Sequence, residues 1–301
     1  MKISVRRGWA RWPAAMGTAM GSACAILLVL ATFSPVSAAE ADQASGAGTS
    51  GEITDPAVIA RLLETENHEM GSQVRKHEPG IDQPIVIQPG PDGSIQAAVY
   101  GIDVSSWQGN VNWSYWWGQG KRFAYVKATE GTSYRNPYFS QQYTGSYNIG
   151  MIRGAYHFAL PNVSGGATQA DFFASSGGGW SRDGKTLPGA LDIEYNPYGS
   201  TCYGLSASSM VSWIRSFSDR YQYRTGRWPV IYTTTNWWST CTGNLGDFTS
   251  TSPLWVARYA STVGALPYRW SYYTFWQYSS SPIDQNVFNG AYDRLQALAN
   301  G

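Results

Sequence analysis

The chain has 301 residues, with 21 Lys and Arg against 20 Asp and Glu, three His, three Cys and 15% aromatic residues. A near-neutral balance without a basic run argues against nucleic acid as a partner. The His and Cys residues never stand at zinc-ligand spacing and no G-x-S-x-G turn is present, so no metal or other cofactor is expected and hydrolase chemistry built on a serine elbow is excluded.

Residues 1–38 read as a signal peptide. Lys2, Arg6, Arg7 and Arg11 form a basic leader, Ala23 to Phe33 is apolar, and small residues around Val36-Ser37-Ala38-Ala39 offer a cleavage site. The apolar run falls short of the roughly 20 residues that span a bilayer, so secretion to the extracellular side without a stable membrane anchor is expected. Arg6-Arg7 hints at twin-arginine export, although the residues after it fit poorly, and Cys24 precedes the apolar core instead of following it, which argues against lipidation.

Residues 39–97 hold no aromatic residue, and Glu40 to Asp92 carries ten acids against three bases. Such a segment lacks the apolar surface for a core of its own and is expected to be largely disordered, with one short helix possible where Thr54-Asp55-Pro56 precedes AVIARLLE. It is an acidic linker or a pro-region, its net charge of −7 facing a domain of net +4.

From Ala98 onward the composition changes: 98–301 contain 12 Trp, 20 Tyr and 9 Phe, enough for one domain with a large core. Apolar runs recur as YGIDVSS, FAYVKAT, MIRGAYHFAL, TLPGALDIE, PVIYTTT, PLWVARYA and YTFWQYS, interleaved with helix-like stretches such as YFSQQYTGSYN, ATQADFFASS and SASSMVSWIRSFSDRYQ. Strand alternating with helix predicts an α/β fold with a mainly parallel sheet, and seven or eight units predict a single irregular (β/α)8-like barrel, least regular toward its C-terminus. Cys202 and Cys241, the pair left after the leader, are expected to form a disulfide.

In such a barrel, chemistry lies at the C-terminal strand ends. Asp103, Asp192, Glu194 and Asp284 sit there, four of only ten acids in 98–301. Asp192 and Glu194 close the run TLPGALDIE two residues apart, so on a strand both face one way with Cα atoms about 6.5 to 7 Å apart. Two such carboxylates oppose each other's ionisation, leaving one protonated as an acid and one charged, as glycoside cleavage requires. Asp183, Asp219, Asp247 and Asp293 read as turn or cap residues, and His157, within GAYHFA, as a hydrogen-bonded core histidine. Trp107, Tyr125, Tyr156, Tyr232 and Trp276 fall near strand ends, where their rings could stack on sugars.

The blocks GIDVSSWQGNVNW, FAYVKATEGTSYRNPYF, RGAYHFA, LDIEYNP, VIYTTTNWW, PLWVARY and TFWQYSS resemble, in order, the motifs of family 25 glycoside hydrolases, the N-acetylmuramidase type of lysozyme. The resemblance spans 98–301. It implies hydrolysis of the β-1,4 bond between N-acetylmuramic acid and N-acetylglucosamine in peptidoglycan, with retention assisted by the substrate's acetamido group. Glu194 then matches the general acid and base, Asp192 its supporting carboxylate, Asp103 and Asp284 two further acids of the groove, and Lys127 and Tyr156 sugar-binding positions. Many members carry histidine after DVS, where this chain has Ser106. The expected partner is the glycan strand of peptidoglycan, met by a monomer. The competing readings are a chitinase-like hydrolase, which also uses a strand-end Asp-x-Glu, and a wall-binding module without turnover.

Overall fold

The structure, a computed structural model, describes residues 68–80 and 98–301. The signal peptide and the AVIARLLE helix lie outside these residues.

Nine strands form one sheet: β1 (Val99–Val104), β2 (Phe123–Glu130), β3 (Tyr134–Arg135), β4 (Ile152–Phe158), β5 (Ala190–Asp192), β6 (Val230–Thr233), β7 (Leu254–Ala257), β8 (Phe275–Ser279) and β9 (Gln285–Phe288). Their order is β1-β9-β8-β7-β6-β5-β4-β2-β3, and a parallel β1–β2 pairing closes eight of them into a barrel, with β3 a short appendage on β2. Pairings from β1 through β2, β4, β5, β6, β7 and β8 are parallel; β9 is antiparallel to both β8 and β1. The irregularity thus falls at the C-terminal end, where β8 returns directly into β9 without a crossover helix.

Strand parity divides the residues between two layers. In β2 every position is buried, as a strand covered on both faces requires. Phe123 and Tyr125 join the cluster inside the barrel, whereas Ala124, Val126 and Ala128 pack outward. Gly154 on β4 makes room for this interior, since a Cβ there would lie 2.3 Å from the Tyr125 ring. The same parity places Ala190 inside and Leu191 and Ile193 outside.

Helices cover the outer face: Trp113–Gly118, Phe139–Asn148, Gly166–Ser175, Ala207–Thr225 and Thr235–Thr242, whereas Tyr292–Asn300 packs Leu295 and Ala299 against the interior cluster. The longest begins where the Ser206 hydroxyl accepts from Ser209 N and ends at Gly226, whose φ of 75° favours a residue without a Cβ. Met210, Trp213, Ile214, Phe217 and Tyr221 form its buried stripe at helical spacing. Each such side chain contributes about 1.5–3 kcal/mol by leaving water. Cys202 and Cys241 are joined, tying the loop beyond β5 to the helix Thr235–Thr242.

Residues 68–80 lie across the C-terminal mouth of the barrel, with one helical turn over Val74–His77. Met70 and Val74 are buried in the interior cluster beside Tyr156, Tyr232 and Tyr259. Fixed structure therefore extends into the acidic segment. Two apolar side chains suffice here because the barrel supplies the surface that buries them.

Candidate active site

Asp192 ends β5 and Glu194 follows two residues later, both inward by parity and both fully buried. Burial raises the Asp192 carboxyl well above its usual range, and the Glu194 charge adds to this. Glu194 is pushed up to about 8, by burial first and by the Asp103 and Glu69 charges, against the opposing effects of a Gly71 N–H and of Lys127. At neutral pH Glu194 therefore holds a proton. Both Asp192 carboxyl oxygens and Glu194 Oε2 have no hydrogen-bond partner among the described residues.

Asp103, on β1, is held by two amides: Asn286 Nδ2 donates to its Oδ2 at 2.6 Å and Gln277 Nε2 at 3.0 Å. Burial nevertheless raises it to about 7, with Glu69 adding to the rise. Asp284, in the loop before β9, shares a hydrogen bond with Asp103 and is raised well above its usual range by burial and by the Asp103 charge. All four acids predicted from strand ends thus meet in one cluster of mutually repelling carboxyls. The Tyr156 and Tyr232 hydroxyls feel the charges of Asp192 and Asp103, and Lys127 lowers the pKa of both Asp192 and Glu194. Lys127, Tyr156 and Tyr232 are therefore at the site.

Trp107 stands in the 3-10 turn Ser106–Gln108 just beyond β1, half-buried at the rim. Its neighbour Ser106 is buried with its hydroxyl 2.6 Å from the Tyr134 hydroxyl. Two of the aromatic expectations are corrected. Tyr125 faces the barrel interior a layer below the acids, with its hydroxyl donating to Pro188 O at 2.9 Å and its ring against Trp255 and Phe275. Trp276 faces outward: its indole donates to Arg258 O at 2.8 Å and its ring packs beside Leu254, Val256 and Val287. Neither is placed to meet a sugar.

On β8 it is Gln277 that points inward, one residue from the tryptophan. Its Nε2 holds Asp103, and its Oε1 accepts from the Tyr232 hydroxyl at 2.6 Å and the Tyr259 hydroxyl at 3.0 Å. Asn286 is oriented in turn by Trp255 Nε1, 2.9 Å from its Oδ1. Alternation in YTFWQYS, with Phe275 inside, was the signal that would have selected Gln277. Glu130, buried and ion-paired with Lys127, was visible only as an acid three residues after it.

His157 is a core residue, bonded to Thr129 Oγ1 at 2.8 Å and Gln169 Oε1 at 2.9 Å and pushed down to about 4 by burial, hence neutral. The run GWSRDGKT, 179–186, has the residue spacing of a phosphate-binding loop but not its setting. It leads toward a strand instead of passing from a strand into a helix, and its Asp183 is engaged by Lys185 N and Thr186 Oγ1. Among the described residues no group of His, Cys, Asp and Glu is arranged to hold a metal ion, and no helix is long and apolar enough to cross a membrane.

Comparison with known proteins matches this geometry to one family. The family model described as "Glycosyl hydrolases family 25" matches residues 102–287. The chain is 54% identical over 212 residues to Lysozyme M1 of Streptomyces globisporus, covering 68% of this chain and 72% of that protein. It is 51% identical to the N,O-diacetylmuramidase of Chalaropsis over 67% of this chain and the whole of the other. The solved structure of a muramidase from Acremonium alcalophilum is similar at 58% identity and a TM-score of 0.66, over 67% of this chain and 99% of that one. With the family model spanning the barrel from β1 to β9, the chain belongs to the family 25 glycosyl hydrolases.

Proposed function

We propose that the protein is a secreted lysozyme that cleaves the β-1,4 bond between N-acetylmuramic acid and N-acetylglucosamine in peptidoglycan, with Glu194 as general acid and base and Asp192 as its supporting carboxylate. The observation that carries the assignment is the Asp192–Glu194 pair on the inward face of β5, where burial and the Asp103 charge raise Glu194 above the usual carboxylate range. A carboxyl so raised keeps a proton that it can deliver to the leaving oxygen.

In the first step Glu194 protonates the glycosidic oxygen as the bond to the anomeric carbon breaks. The substrate's acetamido oxygen closes onto that carbon, and Asp192 stabilises the positive charge this creates. Water then adds from the vacated side, gives its proton to Glu194, and releases a reducing end with retained configuration. Asp103 is held in orientation by Gln277 and Asn286, and its charge adds to burial in raising Glu194 and so favours its protonated form.

Glu194→Gln keeps the shape and removes the proton. Turnover on purified peptidoglycan should fall by at least about a hundredfold, the scale of general acid catalysis. Near-normal turnover in the folded variant would remove Glu194 from the role. Analysis of the released fragments tests the substrate: new reducing ends on muramic acid support a muramidase, and cleavage of plain chitin oligomers alone would reject it.

A further inference from the structure

The four carboxyls assigned to chemistry are 0 to 5% exposed, which is not a groove that a glycan polymer can enter. What covers them is the chain itself. Gly71 N–H donates to Glu194 Oε1 at 2.6 Å, so the segment touches the proposed acid itself. On either side of that contact, Met70 N–H donates to the Tyr156 hydroxyl at 3.3 Å, the Tyr259 hydroxyl lies 3.3 Å from Gly71 O, which competes with Gln277 for its proton, and Lys127 Nζ donates to His68 O. Three of the four residues 68–71, His68, Met70 and Gly71, thus take up polar groups of the groove through their backbone, and Met70 buries its side chain as well.

The fit at the centre admits only glycine. Gly71 has a φ of +77°, and a Cβ there would lie 2.3 Å from the Tyr259 hydroxyl, 2.7 Å from Gln277 Oε1 and 2.8 Å from the Tyr232 hydroxyl. The flanks are anchored to loops on opposite sides of the mouth. Gln108 Nε2 donates to Glu69 Oε2 at 3.0 Å, the Tyr195 hydroxyl donates to Glu78 Oε1 at 2.7 Å, and the His77 ring stacks on Tyr195 at 4.1 Å. The segment offers no glycosidic bond, so the enzyme cannot clear it by its own chemistry.

We infer that residues 68–80 are an intramolecular plug of the catalytic groove, so that the full chain is latent and gains activity when this segment leaves. The inference rests on the assignment of Glu194 and its neighbours as the active site. The plug and the glycan compete for the same groups, so docking lowers the fraction of molecules competent to bind substrate and raises the apparent KM with little change in kcat.

The test compares the full chain with Gly71→Val, which cannot seat at the centre of the plug, and with Met70→Asp, which would bury a charge among carboxyls. Neither residue belongs to the barrel, and the melting of each variant reports whether it folds. Turnover on purified peptidoglycan and binding of soluble glycan strands released from it are both measured. The expected result is a kcat/KM higher by about tenfold or more in the variants, carried by KM, with glycan binding tightened by the same factor; tenfold corresponds to a plug docked in about nine molecules of ten. Equal kcat/KM and equal binding in the wild type and a folded variant would overturn the plug. Tighter binding without any turnover in either protein would uphold the plug and reject Glu194 as the acid.

Discussion

Lys127 Nζ lies 2.5 Å from Glu130 Oε2, and solvent reaches neither side chain. Residues three apart on a regular strand face opposite ways; here the β2–β4 register shifts between Lys127 and Thr129, and the bulge returns Glu130 to the inward face. The ion pair lets a lysine stand inside the barrel next to Asp192 and Glu194, whose carboxyls it pulls back down. Lys127→Met leaves Glu130 buried without its cation, at a cost of about 3–5 kcal/mol. Urea unfolding checks this, and a loss below about 1 kcal/mol would contradict the reading of the pair. The basic limb of the pH–rate profile should move upward in the same variant, because Glu194 loses the charge that favours its ionised form.

In the role proposed for it, Asp192 gives up stability for chemistry. Its two oxygens are buried without a partner and it is raised well above its usual range, so at neutral pH the folded state bears either a proton or an unsatisfied charge. Asp192→Asn is therefore expected to melt higher than the wild type at pH 7. The difference should shrink as pH falls and vanish only below the unfolded value of 3.8, where the wild-type carboxyl is protonated both folded and unfolded. Turnover should meanwhile fall by about a hundredfold or more, the scale of losing one preorganised group at a developing charge. An unchanged kcat would show that Asp192 does not face the reaction.

The disulfide closes a loop of 39 residues that leaves the active-site strand and returns on the helix Thr235–Thr242. Chain entropy for a loop of this length is about 4 kcal/mol. Replacing both cysteines with alanine should lower unfolding stability by that order while leaving the pH profile of turnover in place, since neither sulfur touches the carboxyl cluster. A stability change under about 1 kcal/mol would show that the loop is held by its packing.

The barrel and its four acids were legible because both rest on periodicity. Apolar runs alternating with helix-like stretches give the sheet, and two acids two residues apart at a strand end give the pair. Parity also decides one of the two errors: Trp276 and Gln277 are neighbours on β8, so only one can face the site, and preferring the aromatic selected the wrong one. Tyr125 does face inward but lies a layer too deep, which depends on barrel depth and not on sequence spacing. The Glu130 contact needed the bulge, and no residue pattern announces it. The role of residues 68–80 was hidden for a different reason. Composition measures whether a segment can build its own core, and this one borrows another.

Clustered buried carboxyls also set the response of stability to pH. Asp103 is raised from an ordinary 3.8 to about 7 and Glu194 from 4.5 to about 8, while Asp192 and Asp284 are raised well above their usual range, each by burial first. A carboxyl with a raised folded value keeps its proton when the unfolded chain has lost it. Its folded form is therefore favoured most below the unfolded value, and that advantage drains away as pH rises through the folded one. His157 acts oppositely: lowered from 6.5 to about 4, it makes the unfolded state the better proton binder in between. One histidine set against four carboxyls leaves the folded state binding more protons between about pH 5 and pH 8. Unfolding free energy should accordingly fall across that window, by on the order of 1.4 kcal/mol per pH unit for each excess proton. In Gly71→Val, where the mouth is open and the carboxyls regain water, the slope should be shallower. Denaturation midpoints at half-unit steps from pH 5 to 8 test both statements. A flat or rising profile in the wild type would show that the acids are hydrated in solution, and an identical slope in the two proteins would show that the segment over the mouth does not bury them.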